Sequence, residues 1–360
     1  MPCSSTPARS DDVLDRALAW IDEGRRVALA TVVETWGSAP RPRGSQLVVR
    51  DDGLFFGSVS GGCVEGKVIE AAQASMQDRR HQLLEFGVSN EEAWEVGLAC
   101  GGTVRIYVEP VASVDAAGTL GRVLLDRTRR ARADKRAVVL LTPLDPGPEG
   151  AGHRTGPVRS WMRGDAPLER ALAEAAERAL ATDDAVTVEP ASGPKVFVQA
   201  FNPPLRLVIV GAVHVAEPLA RMGALLGYEI VMIDPREGFA RPERWPGLTV
   251  ATGWPDEVLA TLAIDHRTAI VALTHDPKID DPALAAALRS DAFYIGALGS
   301  KKTHAARAQR LAAQRFTEQQ IARIHGPIGL RIGARSPAEI AVSIAGQLTE
   351  RLRTAAAPGA

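Results

Sequence analysis

Paired cysteines are what this chain most visibly lacks: there are three cysteines in 360 residues, an odd number, and no Cys-x-x-Cys pair. That pattern excludes a disulfide framework and a four-thiolate zinc site, so a cysteine with a role is expected to act as a reduced thiol. No apolar run approaches the roughly 18 residues of a membrane-spanning helix, and the opening stretch "MPCSSTPARSDDVLDR" has no apolar signal-peptide core. The expectation is a cytoplasmic protein with no membrane partner. Charge of one sign is also missing, since 42 Lys and Arg meet 43 Asp and Glu. No global basic field is therefore available to hold nucleic acid. Repeats of solenoid period are absent.

What the chain does have is the composition of a soluble globular protein, 46% hydrophobic and 24% charged, at a length that predicts two domains. "DDVLDRALAWIDEG" reads as an opening helix. "RVALATVVET", "GSQLVVRDDGLFFGS" and "GGTVRIYVEP" read as strands, with Asp-Asp-Gly as a hairpin turn. Helices are predicted over "VEGKVIEAAQASM", "TLGRVLLDRTRRARADK" and "APLERALAEAAERALATDD". Strands are predicted over "AVVLLTPL", "AVTVEP" and "KVFVQAF". The Gly- and Pro-rich segment "DPGPEGAGHRTGPVRSWMRGD" reads as a long loop or hairpin arm. "NPP" at 202–204 marks a linker, which sets the expected domains at 1–203, mixed α/β, and 204–360.

From residue 205 the texture changes to "LRLVIVG", "AEPLARMGALLG", "YEIVMID", "TAIVALTHD" and "DAFYIGALGS". Strand and helix alternate at the spacing of βαβ units, so a Rossmann-like parallel sheet covered on both faces is expected. The turn Gly211, Ala212, Val213, His214 stands where a dinucleotide fingerprint belongs, with Asp234 ending the next strand about 20 residues on. Val213, however, puts a branched side chain at the place where that fingerprint wants glycine for close approach of pyrophosphate. Ligands of such sheets lie beyond the carboxyl ends of the strands. That draws attention to His275 and Asp276, and to Ser300, Lys301 and Lys302 at a helix start. There, free N–H groups and two ammonium groups suit an anion, the alternative being a solvated helix face. His275 with Asp276 lacks the third ligand that a metal site needs. "IHGPIGLRIGARSPAEIAVSIAGQL" closes the domain, with Ser336 as N-cap, Pro337 first in the helix and Glu339 as the capping-box residue.

The thiols lie in glycine-rich loops. Cys63 follows Gly61 and Gly62 in "GSVSGGCVEGKVIEAA", where the helical pattern starts at about Val64. The helix dipole and unpaired N–H groups favour an anion there, and a thiolate is one. Upstream, "WGSAPRPRGSQ" holds Arg41 and Arg43 in a proline-stiffened loop, suited to grip a phosphate or steady a thiolate. Cys100 repeats the theme in "GLACGGTV". A small buried hydrophobe is the competing reading for either cysteine. A cysteine nucleophile would need a histidine base, and His81 is the only one nearby in sequence. Soft metals or sulfur chemistry suit the thiols better.

"VETWGSAPRPRGSQLVV", "GSVSGGCVEGKVIEAA", "GLACGGTV", "VIVGAVHVAEPLA", "ALTHDPKID", "YIGALGSKKT" and "IHGPIGLRIGARSPAEIAVSIAGQL" together resemble the XdhC/CoxI family, accessory factors for xanthine dehydrogenase and related molybdenum hydroxylases. The resemblance implies a chaperone that binds the molybdenum cofactor, as molybdopterin or its cytosine dinucleotide form, and supports replacement of an oxo ligand by sulfur. The product would pass to an apo molybdenum hydroxylase, with a cysteine desulfurase supplying the sulfur and a homodimer admitted. It implies that Cys63 and Cys100, at the family's cysteine positions, face molybdenum or the sulfur. Arg41, Arg43, Ser300 and Lys301 would hold phosphate. The chain departs from the family at Val213, where the turn usually reads Gly-Ala-Gly-His, and residues 111–200 carry little of the signature. An NAD(P)- or nucleotide-dependent oxidoreductase using the second domain is the rival reading, and a scaffold joining desulfurase to hydroxylase is a third.

Overall fold

The computed structural model describes residues 12–37, 41–87, 102–112, 120–144, 159–162, 165, 167–191 and 193–355. The chain divides into two compact units, one of residues 10–203 and one of 204–360.

The first unit opens with α1 (Val13–Asp22), β1 (Val27–Trp36), β2 (Gln46–Arg50), β3 (Phe55–Gly57) and α2 (Glu65–Asp78). There follow β4 (Gln82–Phe86), β5 (Thr103–Ala112), β6 (Leu120–Gly121), α3 (Arg122–Ala133) and β7 (Val138–Leu144). It closes with β8 (Arg159–Trp161), α4 (Arg170–Thr182), β9 (Val186–Val188) and β10 (Lys195–Phe201). One antiparallel sheet has the order β3-β2-β1-β5-β4, with β6 added beside β5; the other has the order β8-β7-β10-β9. The layers run α2, first sheet, second sheet, α4. Ala28, Ala30 and Val32 pack on Val68 and Ala72 of α2, while Leu29 and Val33 face Leu140, Leu144 and Phe197 of the second sheet. Alternate residues of β1 thus enter two different cores, so Val27 through Val33 is one continuous buried run. Asp51-Asp52-Gly53 makes the predicted hairpin, with Gly53 at φ +88°. β4 carries no alternating pattern strong enough to stand out in the sequence. The predicted loop arm contains β8, which pairs with β7, and residues 145–158 of that arm lie outside the described residues.

The second unit begins β11 (Arg206–Val210), α5 (Ala216–Leu225), β12 (Glu229–Ile233), β13 (Val250–Ala251), α6 (Pro255–Thr261) and β14 (Thr268–Ala272). It continues α7 (Pro277–Leu288), β15 (Tyr294–Ala297), α8 (Lys301–Ala313), α9 (Glu318–Ile321), β16 (Ile324–His325) and α10 (Pro337–Ala355). Its sheet is parallel throughout, in the order β13-β12-β11-β14-β15-β16. Counted within the unit, this is the 3-2-1-4-5-6 order of dinucleotide folds. α5 and α10 cover one face and α6, α7 and α8 the other, which is why β11, β14 and β15 are buried throughout and, after Arg206 and Thr268 at the first positions of β11 and β14, apolar. The sequence predicts four of these strands; β13 and β16, at two residues each, are too short to leave a periodic signal. The N-terminus of α10 is capped as predicted, with Glu339 N donating to Ser336 Oγ (3.3 Å) and Ser336 N to Glu339 Oε2 (2.9 Å).

Between the two sheets of the first unit, β5 turns Glu109 inward. Its neighbours two residues away, Tyr107 and Val111, both pack against the second sheet. Burial pushes the Glu109 carboxyl from 4.5 up to about 8. The folded protein therefore keeps a proton that the unfolded chain releases, and stability falls as pH rises from about 4.5 to 8. Glu109→Gln is expected to melt at a temperature near wild type at pH 5 and clearly above it at pH 9, measured by thermal denaturation followed by circular dichroism.

Candidate functional site

In the first unit the singled-out segments leave one end of one sheet. β1 runs to Trp36, opposite Thr103 at the start of β5, and β4 reaches Phe86 opposite Val104. β3, parallel to β1, ends at Gly57, where Ser58 N bonds to Gln46 O. The connections 37–45, 58–64 and 87–102 therefore all emerge at that end. This brings together the loops of Arg41, Arg43, Gly61, Gly62 and Cys63. Cys100 itself lies outside the described residues, as does Cys3.

The loop before α2 is wound around a carboxylate. Glu65 Oε1 accepts from Val59 N (3.2 Å), Ser60 N (2.9 Å), Gly61 N (3.1 Å) and Ser58 Oγ (2.8 Å), while Oε2 accepts from Gly62 N (2.9 Å) and Ser60 Oγ. Gly61 (φ +81°) and Gly62 (φ +121°) supply the left-handed backbone this winding needs, with open space where side chains would lie. Burial pushes the Glu65 carboxyl up, but the hydrogen bonds from Ser60 and Ser58 outweigh it and bring the value down to about 2. The sequence assigns the free N–H groups to a Cys63 thiolate; the structure gives those of residues 59–62 to Glu65. α2 starts at Glu65, so Cys63 stands two residues ahead of it, exposed, between open Gly62 and buried Val64.

The arginines of the neighbouring loop differ. Arg41 is exposed. Arg43 Nη2 is 3.0 Å from Asp184 Oδ2, and the adjacent Gly44 O accepts from Gln199 Nε2 at 2.9 Å. These bonds tie the end of the loop to the second sheet. Of the two guanidinium groups, Arg43 already has a partner.

In the second unit, β11, β14 and β15 lie side by side. The turns that follow them set Gly211, His214, His275, Ser300 and Lys301 along one carboxyl edge of the sheet. Gly211 (φ +106°) is required because a Cβ there would stand 2.4 Å from Thr274 Cγ2. Asp234, fully buried, closes this turn. Its Oδ2 accepts from Ala212 N (2.8 Å) and Arg236 Nη2 (2.7 Å), and its Oδ1 from Arg236 N (3.0 Å) and Nε (2.9 Å). Burial raises its carboxyl pKa, but Arg236 and the backbone donors outweigh that and hold it below the ordinary value. Arg236 in turn lies 3.8 Å over the Phe239 ring. Both oxygens of the residue that would meet a ribose are therefore occupied.

His275 is exposed, at φ +64°. Its turn is shaped by buried Asp280, which accepts from Thr274 N (3.3 Å), Thr274 Oγ1 (2.7 Å), His275 N (3.2 Å) and Arg307 Nη2 (3.3 Å). Asp276 caps α7 through Lys278 N (2.9 Å). Ser300 caps α8, accepting from Thr303 N at 3.1 Å, and exposed Lys301 and Lys302 follow in the first turn. Among the described residues, no three His, Cys, Asp or Glu side chains gather as a metal site, and no helix is long and apolar enough to cross a membrane.

Glu65, Arg236, Asp280 and Arg307 escaped the sequence reading. Glu65 could have been found, because a carboxylate three residues after Gly62 has the reach-back spacing of a capping box. Nothing local announces the Asp280–Arg307 pair, 27 residues apart.

Models of two protein families match the chain: the XdhC and CoxI family over residues 20–87 and the XdhC Rossmann domain over 207–348. A Bacillus subtilis protein named as a probable xanthine dehydrogenase subunit is 25% identical over 92% of this chain and 95% of its own. An Escherichia coli protein named molybdenum cofactor insertion chaperone PaoD is 28% identical over 92% of this chain and 85% of its own. A Bacillus halodurans crystal structure described as a xanthine dehydrogenase superposes with a TM-score of 0.73 at 24% identity, covering 95% and 96% of the two chains. At that identity the likeness is one of fold.

Removing the Glu65 carboxylate leaves the N–H groups of residues 59–62 without their acceptor. Glu65→Ala is expected to cost about 3 kcal/mol, a fall of roughly 6 to 12 °C in Tm, and to speed alkylation of Cys63 by iodoacetamide as the loop unwinds. An unchanged Tm in differential scanning calorimetry would count against the winding role.

Proposed function

Because this chain belongs to the XdhC and CoxI family, we propose that it is a molybdenum cofactor chaperone, binding the cofactor as molybdopterin or its cytosine dinucleotide form. It supports replacement of an oxo ligand on molybdenum by sulfur from a cysteine desulfurase, and hands the product to an apo molybdenum hydroxylase of the xanthine dehydrogenase type. The name of the E. coli relative supports the cargo and its insertion, and that of the B. subtilis relative supports the client class.

The observation that carries this reading is Cys63, an exposed thiol on a loop whose own donors are already engaged by Glu65. A soft ligand in that position can contact molybdenum or sulfur and let go again, as a carrier requires. Cys100 shares the role by its family position. Exposed Arg41 and the N–H groups and ammonium groups at the start of α8 suit a phosphate, with Arg43 contributing if it exchanges Asp184 for the ligand. The rival nucleotide-dependent oxidoreductase is disfavoured by Asp234: a ribose would have to displace Arg236 from both oxygens, and Val213 stands where the dinucleotide fingerprint has glycine.

Anaerobic gel filtration with added cofactor, followed by elemental analysis for molybdenum, tests the proposal. Wild type is expected to retain molybdenum, and Cys63→Ala to bind at least about tenfold more weakly, equivalent to about 1.4 kcal/mol. Unchanged retention by Cys63→Ala and by the double variant with Cys100→Ala would overturn it. Saturable NAD(P) binding without molybdenum retention would favour the oxidoreductase.

A further inference from the structure

The first unit contains a cavity of about 340 Å3, a size usual for small-molecule sites, whose lining includes none of the candidate cofactor-binding residues. It lies toward the end of the first sheet from which the Cys63 loop leaves. Its walls are apolar, from Val33 of β1, Leu83 of β4, Leu144 of β7 and Pro194. Consecutive residues of a regular strand face opposite ways, yet Glu34 lines the cavity together with Val33. The cause is a β-bulge. β1 pairs Val32 with Ile106 and Glu34 with Arg105, leaving Val33 as the extra residue and turning both side chains to one side. Bulges of this kind commonly re-aim a side chain beside a site.

The polar groups of the cavity are already paired in a particular way. Arg105 donates from Nη1 to Glu34 Oε2 (2.9 Å) and from Nε to Glu85 Oε2 (2.8 Å), and its guanidinium lies 5.1 Å from the Trp36 ring centre. Lys195 Nζ is 2.7 Å from Glu189 Oε1. Both cations are thus engaged, while each cavity carboxylate has committed one oxygen. Among the described residues, the second oxygen of Glu34 and of Glu85 accepts no hydrogen bond. The lining's two carboxylates face two cations that are already paired, so no cation is free to take an anionic group and a further cation must compete with Arg105. The chemistry that fits is a flat, uncharged ring that slides between apolar walls and presents adjacent N–H donors to two carboxylate acceptors.

We infer that this cavity binds the amino-lactam edge of such a ring, the 2-amino-4-oxopyrimidine shared by pterins and guanine, with Glu34 and Glu85 accepting its N–H groups. The choice of a pterin as the source rests on the chaperone reading. Fluorescence titration of the full-length wild type with 6-hydroxymethylpterin, guanosine and lumazine, which lacks the 2-amino group, tests it without any substitution. The pterin is expected to bind at least about tenfold tighter than lumazine, because a carboxylate left facing an oxygen is left without its donor. Glu34→Gln and Glu85→Gln are each expected to bring that preference below about threefold, since an amide accepts more weakly than a carboxylate. Leu83→Trp, at the partly exposed rim, fills the space without touching the ion pairs and is expected to abolish binding of all three. Guanosine binding as tightly as the pterin upholds the edge-recognising cavity and moves the source to a guanine nucleotide. Equal affinity for pterin and lumazine, or binding indifferent to Leu83→Trp, overturns the inference. The two proposals fail separately: Cys63-dependent molybdenum retention without pterin discrimination leaves the chaperone reading standing, and pterin discrimination without molybdenum retention leaves only the cavity.

Discussion

A carboxylate taken out of water is tolerated only where donors replace its hydration, and Glu65 meets that requirement by collecting the backbone N–H groups of four consecutive residues. The loop has little else to give it shape. It is short, it contains two glycines with positive φ, and its outer surface is open. Without an anion at its centre those N–H groups would point at one another's partial charges. With it, the loop becomes one hydrogen-bonded turn ending in the first residue of α2, where the helix dipole also favours negative charge.

The same device recurs in the second unit. Asp234 closes the turn after β11, and Asp280 closes the turn after β14 by accepting from Thr274 and His275. In each place a buried acid holds backbone in an uncommon conformation, and the residue next to it is left exposed: Cys63, His214, His275. Shaping and presentation are thereby divided between different side chains. A thiol or imidazole that also had to shape its own loop could not change partners without unfolding it, whereas these can. That division suits a protein whose contacts with a ligand are made and then released.

Between the sheets of the first unit the opposite problem is solved. Arg105, Tyr107 and Glu109 alternate along β5 on the face toward the second sheet, Arg105 partly exposed near the start of the strand and Glu109 buried. Arg105 is tolerated because two carboxylates and an indole surround it. Glu109 is tolerated by keeping its proton. Charge in an inward strand position is costly for stability alone, and here it coincides with a bulge and a cavity, which is the combination expected of a binding site rather than of a plain core.

Much of this protein is legible along the chain. Continuous apolar runs such as "LRLVIVG" and "TAIVALTHD" declare buried parallel strands, because a strand covered on both faces has no polar side to show. Asp-Asp-Gly and Ser-Pro-Ala-Glu declare a hairpin and a helix start through local hydrogen bonding alone. The glycine-flanked thiols and the Val213 turn are likewise visible as letters. What only the tertiary structure decided is which donor meets which acceptor. The N–H groups ahead of α2 satisfy Glu65 rather than Cys63, Arg236 fills Asp234, Arg307 reaches Asp280 from 27 residues away, and a one-residue bulge turns Glu34 toward Arg105. Periodicity carries burial, because burial follows from a side chain's direction along its own element. Pairing between distant polar groups depends on how separate elements are brought together, and no local spacing encodes that.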